Sequence, residues 1–473
     1  MSTNMSVEVA IIGAGSAGLT AQREVARQTD SYVVLDPGPL GTTCARTGCM
    51  PSKVLIHMAN TYHQIMHSPP GLNSGASPGI DSAEIMKHVR ALRDDFVSGV
   101  LKGMQSWEKT HFIKKRARFL APNVLDLEGQ RLNADTIIIA TGSEPVIPEP
   151  WQKFTSHLLD TDKFFDLAEL PERLAVIGLG SIGLEMGQAL HRLGVDITGI
   201  DPGRGIGGLT DPEVQEYAVE HFSREMSLMF APADIQDASE THASIKVGDE
   251  SIDVTQALIS VGRQPAVQGL GLENLDVTLD DKGLPGFDQS TLKLHDLPIF
   301  MAGDANGVRP LLHEAVDEGR IAGFNATRSS PECFIRRTPL AITFTSPAVA
   351  IAGSTFQELR EQKRDFVVGS ADFEHQGRAR IMHAAHGMLR IYADRNNGRL
   401  LGAELFAPGG EHLAHLFAWS ITMQMTISDL LNMPFYHPVL EEGMRSAIRD
   451  ADKQLEFPAS YTQTMRCDSN PVE

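Results

Sequence analysis

Cysteine, aromatic residues and positive charge are all scarce in this 473-residue chain. It holds four cysteines, three tryptophans, and 41 basic against 60 acidic side chains, a net charge of −19. So few cysteines argue against a disulfide-stapled scaffold. The acidic balance argues against nucleic acid or an anionic membrane as partner. No apolar run is long enough to span a bilayer. The segment Met1–Glu8 lacks the basic region of a signal peptide, and glycines break the apolar stretch after it. A reducing, cytoplasmic setting is therefore expected. What remains is an ordinary globular composition, 42% hydrophobic and 21% charged, at a length that predicts about three domains.

Two of the scarce cysteines stand close together, in Leu40-Gly41-Thr42-Thr43-Cys44-Ala45-Arg46-Thr47-Gly48-Cys49-Met50-Pro51-Ser52-Lys53. Zinc ligation would call for tighter spacing and a second Cys or His pair, yet only the isolated Cys333 and Cys467 remain. A working redox disulfide is the stronger reading, since cytoplasmic disulfides are normally transient. In a regular helix, residues five apart have Cα atoms roughly 8–9 Å apart, beyond the roughly 7 Å limit for a bridge. If Cys44 and Cys49 pair, the chain between them must leave helical geometry, and Gly48 and Pro51 permit that.

The cysteines follow a dinucleotide fingerprint. Val7–Ile12 reads as a buried strand that runs into Gly13-Ala14-Gly15-Ser16-Ala17-Gly18, then a helix to about Arg27 and a second strand, Tyr32–Leu35, ending at Asp36. The glycines let backbone approach a pyrophosphate at the helix N-terminus, and the acid suits a ribose hydroxyl. The device recurs. Leu174–Ile177 leads into Gly178-Leu179-Gly180-Ser181-Ile182-Gly183, and Val195–Ile200 ends at Asp201. Two complete fingerprints imply two dinucleotides, one of them a flavin; a degenerate duplicate would not need to keep both acids. Two thiols placed near such a cofactor point to electrons moving between a ring system and a disulfide.

Elsewhere, Ser68–Asp81 reads as a loop between amphipathic helices, and Thr136–Ala140 as a strand ending in Thr141-Gly142-Ser143. Pro145, Pro148 and Pro150 mark a crossing between domains. Ala257–Val261 and Pro298–Ala302 are further strands. From about Arg337 the dinucleotide pattern stops, and strand-like runs at 341–345, 365–370 and 388–393 precede a helix near Glu411–Met423. The fold expected is α/β: two Rossmann-like dinucleotide-binding domains and a C-terminal α+β dimerisation domain. The expected boundaries are 1–148 with 268–336, then 149–267, then 337–473.

With Cys44…Cys49-Met50-Pro51-Ser52-Lys53, Ala140-Thr141-Gly142, Val261-Gly262-Arg263-Gln264-Pro265, Ala302-Gly303-Asp304 and His437-Pro438…Glu442 in this order, the chain resembles the pyridine nucleotide–disulfide oxidoreductases. That is the flavoprotein family of dihydrolipoamide dehydrogenase, glutathione reductase and mercuric reductase. The resemblance implies roles. Cys44 would attack the substrate disulfide and Cys49 would lie beside the flavin. Lys53 would stand near the flavin, held by Glu185. His437 and Glu442 would form an acid–base pair serving the other subunit of a homodimer, with Pro438 opening a helix that carries Glu442. A lone histidine is more often a packed loop residue; the Pro and Glu at this spacing reverse that. FAD is expected to touch Gly13, Gly15, Ser16, Ala17, Gly18, Asp36, Thr43, Lys53, Ala117, Ala140, Thr141, Gly142, Ser143, Gly303, Asp304, Leu311, Leu312 and His313. NAD is expected at Gly178, Gly180, Ile182, Gly183, Glu185, Asp201 and Gly262. No metal site is expected.

Some positions depart from the pattern: Thr42 replaces a second glycine, Ala348 follows Pro347 where an acid is common, and Ala266 replaces a frequent asparagine. Asp201 and Gly187 favour NAD, although Arg204 lies close enough to compete for a 2′-phosphate. Ser52–His57 and Tyr62-His63 look most like dihydrolipoamide dehydrogenase, whose substrate is a dithiol, including the lipoyl group of 2-oxoacid dehydrogenase complexes. A paired C-terminal Cys motif is lacking, with Cys467 alone in a long tail. Another small disulfide, a metal or a quinone stays open as acceptor, as does a mainly scaffolding flavoprotein, which would have no need of these redox residues.

Overall fold

The computed structural model describes residues 5–69, 71–72, 79–239 and 241–456; Cys467 and the last part of the tail lie outside them. The chain begins with strand β1 (Met5–Ile12), helix α1 (Ser16–Val25) and strand β2 (Tyr32–Leu35), followed by helices α2 (Thr43–Arg46), α3 (Cys49–Met66) and α4 (Ser82–Met104). β1 lies at the centre of a parallel sheet, with β2 on one side and Gln130–Ile139 on the other. Ile299–Met301 returns to pair with Gln130–Ile139, so a late segment completes the first sheet. The inner strands are apolar on both faces, as a parallel sheet covered by helices requires. α1 packs against the helix Leu312–Ala326 almost backbone to backbone: a Cβ on Gly319 would lie 2.2 Å from the Ala17 carbonyl oxygen.

The second domain repeats the plan. Arg173–Ile177 pairs in parallel with Asp196–Ile200 and with Gln256–Ile259, and a three-stranded antiparallel meander covers residues 233–254. The short antiparallel pair Ser143–Pro145 with Arg263–Pro265 ties the two crossings between the first and second domains. The C-terminal domain is a five-stranded antiparallel sheet in the order 340–343, 348–353, 400–407, 388–394, 366–372, backed by the helices Gly410–Thr422 and Glu442–Asp452. The α/β class with a C-terminal α+β domain is thus the observed architecture. Among the described residues no helix is long and apolar enough to cross a membrane.

Buried carboxylates join the second and third domains. Glu404, fully buried, accepts hydrogen bonds from Thr210 N (2.6 Å), Thr210 Oγ1 (2.6 Å), Asp211 N (2.9 Å) and Phe356 N (2.8 Å). Asp211, equally buried, accepts from Arg390 (3.0 Å) and Tyr392 Oη (2.9 Å).

Candidate active site

The two glycine loops are built alike. Gly13 (φ +110°) and Gly178 (φ +94°) pass so close to the neighbouring strand that a Cβ would lie 2.2 Å from the Ala140 oxygen and 2.5 Å from the Ser260 oxygen. Only glycine closes the sheet there. Asp36 accepts hydrogen bonds from Ala14 N at 2.7 Å and Gly38 N at 2.6 Å; Asp201 does the same with Leu179 N at 2.8 Å and Gly203 N at 2.9 Å. Each acid therefore fixes its loop from the end of the second strand. Gly15 and Gly180 cap their helices with open space where a side chain would stand. That opening and the first-turn N–H groups suit a pyrophosphate.

The residues around the first loop fit a large polar cofactor such as FAD. Thr141 Oγ1 is buried and has no hydrogen-bond partner among the described residues. Next to it Asp304 accepts from Ser143 Oγ at 2.7 Å, and Arg263 grips Ser143 at Oγ (2.9 Å) and O (2.7 Å). Ser16, Ala17 and Gly18 lie in the first turn of α1, and Gly142 leaves open space beside it. Leu311 caps the helix that carries Leu312 and His313, both exposed. Thr43 is exposed at the start of α2, whereas Ala117 is buried among the apolar side chains of the first sheet. In the second loop Ile182 is half-buried in the helix Ser181–Arg192, and Gly183 packs on the Gly178 oxygen. Gly262 (φ +123°) has open space at the inter-domain crossing.

Between the two folds stands the dithiol. α2 ends at Arg46 and α3 starts at Cys49, so Thr47 and Gly48 break the helix between the cysteines, as pairing demands. Gly48 is needed for proximity: a Cβ there would lie 3.0 Å from Cys44 Cα and 3.0 Å from the Thr43 oxygen. Both cysteines are thiols, hydrogen-bonded to each other. The Cys44 S–H donates to Cys49, which, with help from the Lys53 ammonium, draws the Cys49 thiol down to about 6. The same bond, together with burial, pushes Cys44 up. Cys49 thus holds the first negative charge, and Cys44 stays protonated until a base reaches it. Lys53 Nζ lies 2.7 Å from Glu185 Oε2. The other Glu185 oxygen accepts from Phe344 N at 2.8 Å, and the Phe344 ring sits 4.7 Å from the Lys53 ammonium.

Cys44 also lines a cleft of about 380 Å³ walled by α1, α4, Trp107 and Leu312; Cys49 does not. Cys49 is nevertheless the more exposed of the two, and Lys53 stands on its side. Thr42, at the rim, adopts φ +61° and ψ +147° and caps α2 through Oγ1 to Ala45 N at 3.3 Å.

His437 Nδ1 lies 3.1 Å from both Glu442 carboxylate oxygens, and this bond holds the Glu442 carboxyl below its usual range. The helix does not open at Pro438 as expected; it begins at Glu442. Gln376 Nε2 takes the Val439 carbonyl at 2.6 Å, so that oxygen is not left to a helical N–H, and the turn folds the imidazole back onto the carboxylate. Within one chain no hydrogen bond or ion pair joins His437 to either cysteine among the described residues. Arg204 pairs with Glu216 at 3.2 Å and lies 4.9 Å over Phe230, with both charged side chains exposed.

Sequence reasoning missed two supports. Glu318, almost fully buried, accepts from Gly303 N (2.6 Å), Asn306 Nδ2 (2.7 Å) and Arg336 (2.7 Å), and so fixes the loop that carries Asp304. Phe344 was passed over because an aromatic at a strand end carries no motif. Among the described residues no His, Cys, Asp and Glu cluster could hold a metal ion.

Comparison with known proteins agrees with this geometry. Residues 7–319 match the family model described as pyridine nucleotide-disulphide oxidoreductase, and residues 340–448 match the dimerisation domain of that family. The chain is 29% identical over 461 residues to a dihydrolipoyl dehydrogenase from Thermus scotoductus, covering 94% of this chain and 98% of the relative. It is 26% identical over 460 residues to a mercuric reductase from Bacillus cereus, covering 96% of this chain and 72% of the relative. The solved HOCl-induced flavoprotein disulfide reductase RclA from Escherichia coli shares the fold, with a TM-score of 0.80 and 21% identity over 93% of this chain and 99% of that one. Members of the matched family use FAD and a pyridine nucleotide, and a dimerisation domain supports assembly as a dimer. By its fold, its paired glycine loops and the match over most of its length, this chain belongs to the pyridine nucleotide-disulphide oxidoreductases.

Proposed function

We propose that the protein passes electron pairs between NAD(H) and a small dithiol or disulfide through Cys44 and Cys49, working as a homodimer. The observation that carries this is the helix break at Thr47–Gly48, which brings Cys44 and Cys49 together beside the Lys53–Glu185 pair with Cys44 lining a cleft. FAD, when bound, relays the electron pair between the nicotinamide and the dithiol. The chain's own groups do the rest. A Cys44 thiolate attacks one substrate sulfur, the second sulfur leaves and takes a proton, and Cys49 then attacks Cys44 to free the other thiol. One disulfide, two electrons and two protons give two thiols; NADH supplies both electrons and one proton, and solvent supplies the other. In the opposite direction a dithiol reduces NAD⁺. His437, oriented by Glu442, is the base and acid, reaching the dithiol of the partner subunit.

Dihydrolipoyl substrates, free or on a 2-oxoacid dehydrogenase complex, are the first candidates, because several relatives bear that name. NAD is preferred to NADP because an acid, Asp201, ends the second strand, where it would accept from a ribose 2′-hydroxyl and repel a 2′-phosphate. The cytoplasm suits a working dithiol. The test is anaerobic turnover with NADH against lipoamide, glutathione disulfide, other low-molecular-weight disulfides and quinones. Rapid flavin reduction by NADH with turnover of at least one disulfide is expected. Flavin reduction without turnover of any disulfide would overturn the reading.

A further inference from the structure

His437 and Glu442 meet across a turn that lies outside the ladder of the last helix. That helix begins at Glu442. Its second residue, Gly443, donates to Leu440 O at 2.9 Å, which leaves the Val439 carbonyl to a partner from elsewhere. Within the turn Val439 N donates to Glu442 Oε2 at 3.3 Å, a long bond. The imidazole is 78% exposed, so packing within the chain does little to orient it. Whatever fixes the backbone of the turn therefore matters more.

Two residues of one distant segment do this. The segment follows the strand Phe366–Asp372. Phe373 is fully buried and its N–H donates to Gly387 O at 3.0 Å. Its ring presses on the start of the last helix, where a Cβ on Gly443 would lie 2.6 Å from the ring. Three residues on, the half-buried Gln376 uses both ends of its amide. Oε1 accepts from Ala379 N at 2.6 Å and caps the helix Gly377–Ile381, while Nε2 donates to Val439 O at 2.6 Å. The amide has one orientation only, because turning it over would set donor against donor and carbonyl against carbonyl. Phe373 thus places the helix that carries Glu442, and Gln376 places the turn that carries His437.

We propose that Gln376 is a positioning residue of the acid–base pair: by holding the Val439 carbonyl it keeps the His437 imidazole on the Glu442 carboxylate and aimed for proton transfer. The inference rests on His437 as the base of the disulfide reaction. A general base works only within hydrogen-bond reach of the proton it takes, and a misplacement of about 1 Å costs about 10² in rate. Without the Gln376 donor the turn loses its fixed point two residues from the imidazole. Phe373 still seats the helix, so Glu442 stays in place while His437 drifts from it.

The test removes one bond of the amide at a time. Gln376→Glu keeps the oxygen that caps the short helix and replaces the donor with a second acceptor. Gln376→Lys keeps a donor and gives up the cap. The rate read is single-turnover oxidation of the NADH-reduced holoenzyme by lipoamide, or by the disulfide of the panel above that turns over fastest. Gln376→Glu should slow it about tenfold, with the half-saturating disulfide concentration and flavin reduction by NADH little changed. Gln376→Lys should recover part of the loss. In a His437→Gln background Gln376→Glu should slow it no further, because the two residues act as a unit. Losses that multiply in the double variant, or that fall equally on flavin reduction, would be general damage and would overturn the proposal. A second measurement needs no turnover: amide hydrogen exchange in the peptide 437–443 should quicken about threefold to tenfold in Gln376→Glu, while that in 400–407 stays unchanged. A full rate in Gln376→Glu beside a slow His437→Gln would overturn the grip and spare the base. Faster exchange in Gln376→Glu beside a full rate in His437→Gln would uphold the grip and sink the base.

Discussion

Replacing Cys44 with alanine removes the S–H that donates to Cys49, and with it the largest influence holding that thiol at about 6. Without the donor, the ionisation of Cys49 should rise toward the free-thiol value of about 8.5. The rise stops short of that value because the Lys53 ammonium remains. The direction in pH follows from the chemistry: the charge is present above the midpoint and lost as pH falls through it. At pH 7 a midpoint near 6 leaves about nine-tenths of Cys49 as thiolate, and a midpoint near 8.5 leaves about one-thirtieth. Thiolate absorbance near 240 nm, followed from about pH 5 to 9 in the dithiol form, reads both numbers. Cys44→Ser keeps a hydroxyl donor and should titrate between wild type and Cys44→Ala. Lys53→Met should raise the midpoint by a smaller step, because its charge ranks below the hydrogen bond. Identical midpoints in wild type and Cys44→Ala would refute the polarised-dithiol argument outright.

Asp201→Ala should narrow the preference for NADH over NADPH by about tenfold in kcat/KM, and a wild-type preference for NADPH would show that another cation dominates. Thr42 holds a β-branched residue at φ +61°, a conformation that costs about 1–3 kcal/mol. Thr42→Gly should therefore raise unfolding stability in urea by about 1 kcal/mol, since glycine relieves the strain and gives up only a few tenths as a cap. Thr42→Ala should lower it by about 0.5–1 kcal/mol through the lost cap; the opposite order would contradict the strain. His437→Gln should slow disulfide turnover by about 10²–10⁴ while sparing flavin reduction by NADH. Heterodimers of Cys44→Ser and His437→Gln chains should recover about half of wild-type activity, and no recovery would mean that the histidine acts within its own chain or not at all.

Much of this was legible in the sequence because the constraints are local. Gly13 and Gly178 are dictated by a backbone approach a few residues long, and Cys44 with Cys49 by a spacing that either breaks the helix or fails to pair. Strands at 348–353 and 400–407 carry no period-two signal because they are buried on nearly every residue. The last helix begins at Glu442 and not at Pro438, and no local pattern tells of it because the side chain that claims the Val439 carbonyl, Gln376, is far away in the chain.

The buried carboxylate Glu404 bears on how firmly the second domain is held to the C-terminal sheet. Swinging the second domain away from the C-terminal sheet would strip Glu404 of the Thr210 and Asp211 donors together and part Asp211 from Arg390 and Tyr392. Opening would exchange those buried hydrogen bonds for bonds to water, a net loss of about 1.5–3 kcal/mol for each bond to a charged group, which favours the closed arrangement. The second domain and the C-terminal sheet are therefore joined through a buried polar seam as well as through apolar packing. Beside the Lys53–Glu185 pair, which also lies between these parts, the smaller group is the Phe344 ring, partly exposed and 4.7 Å from the ammonium.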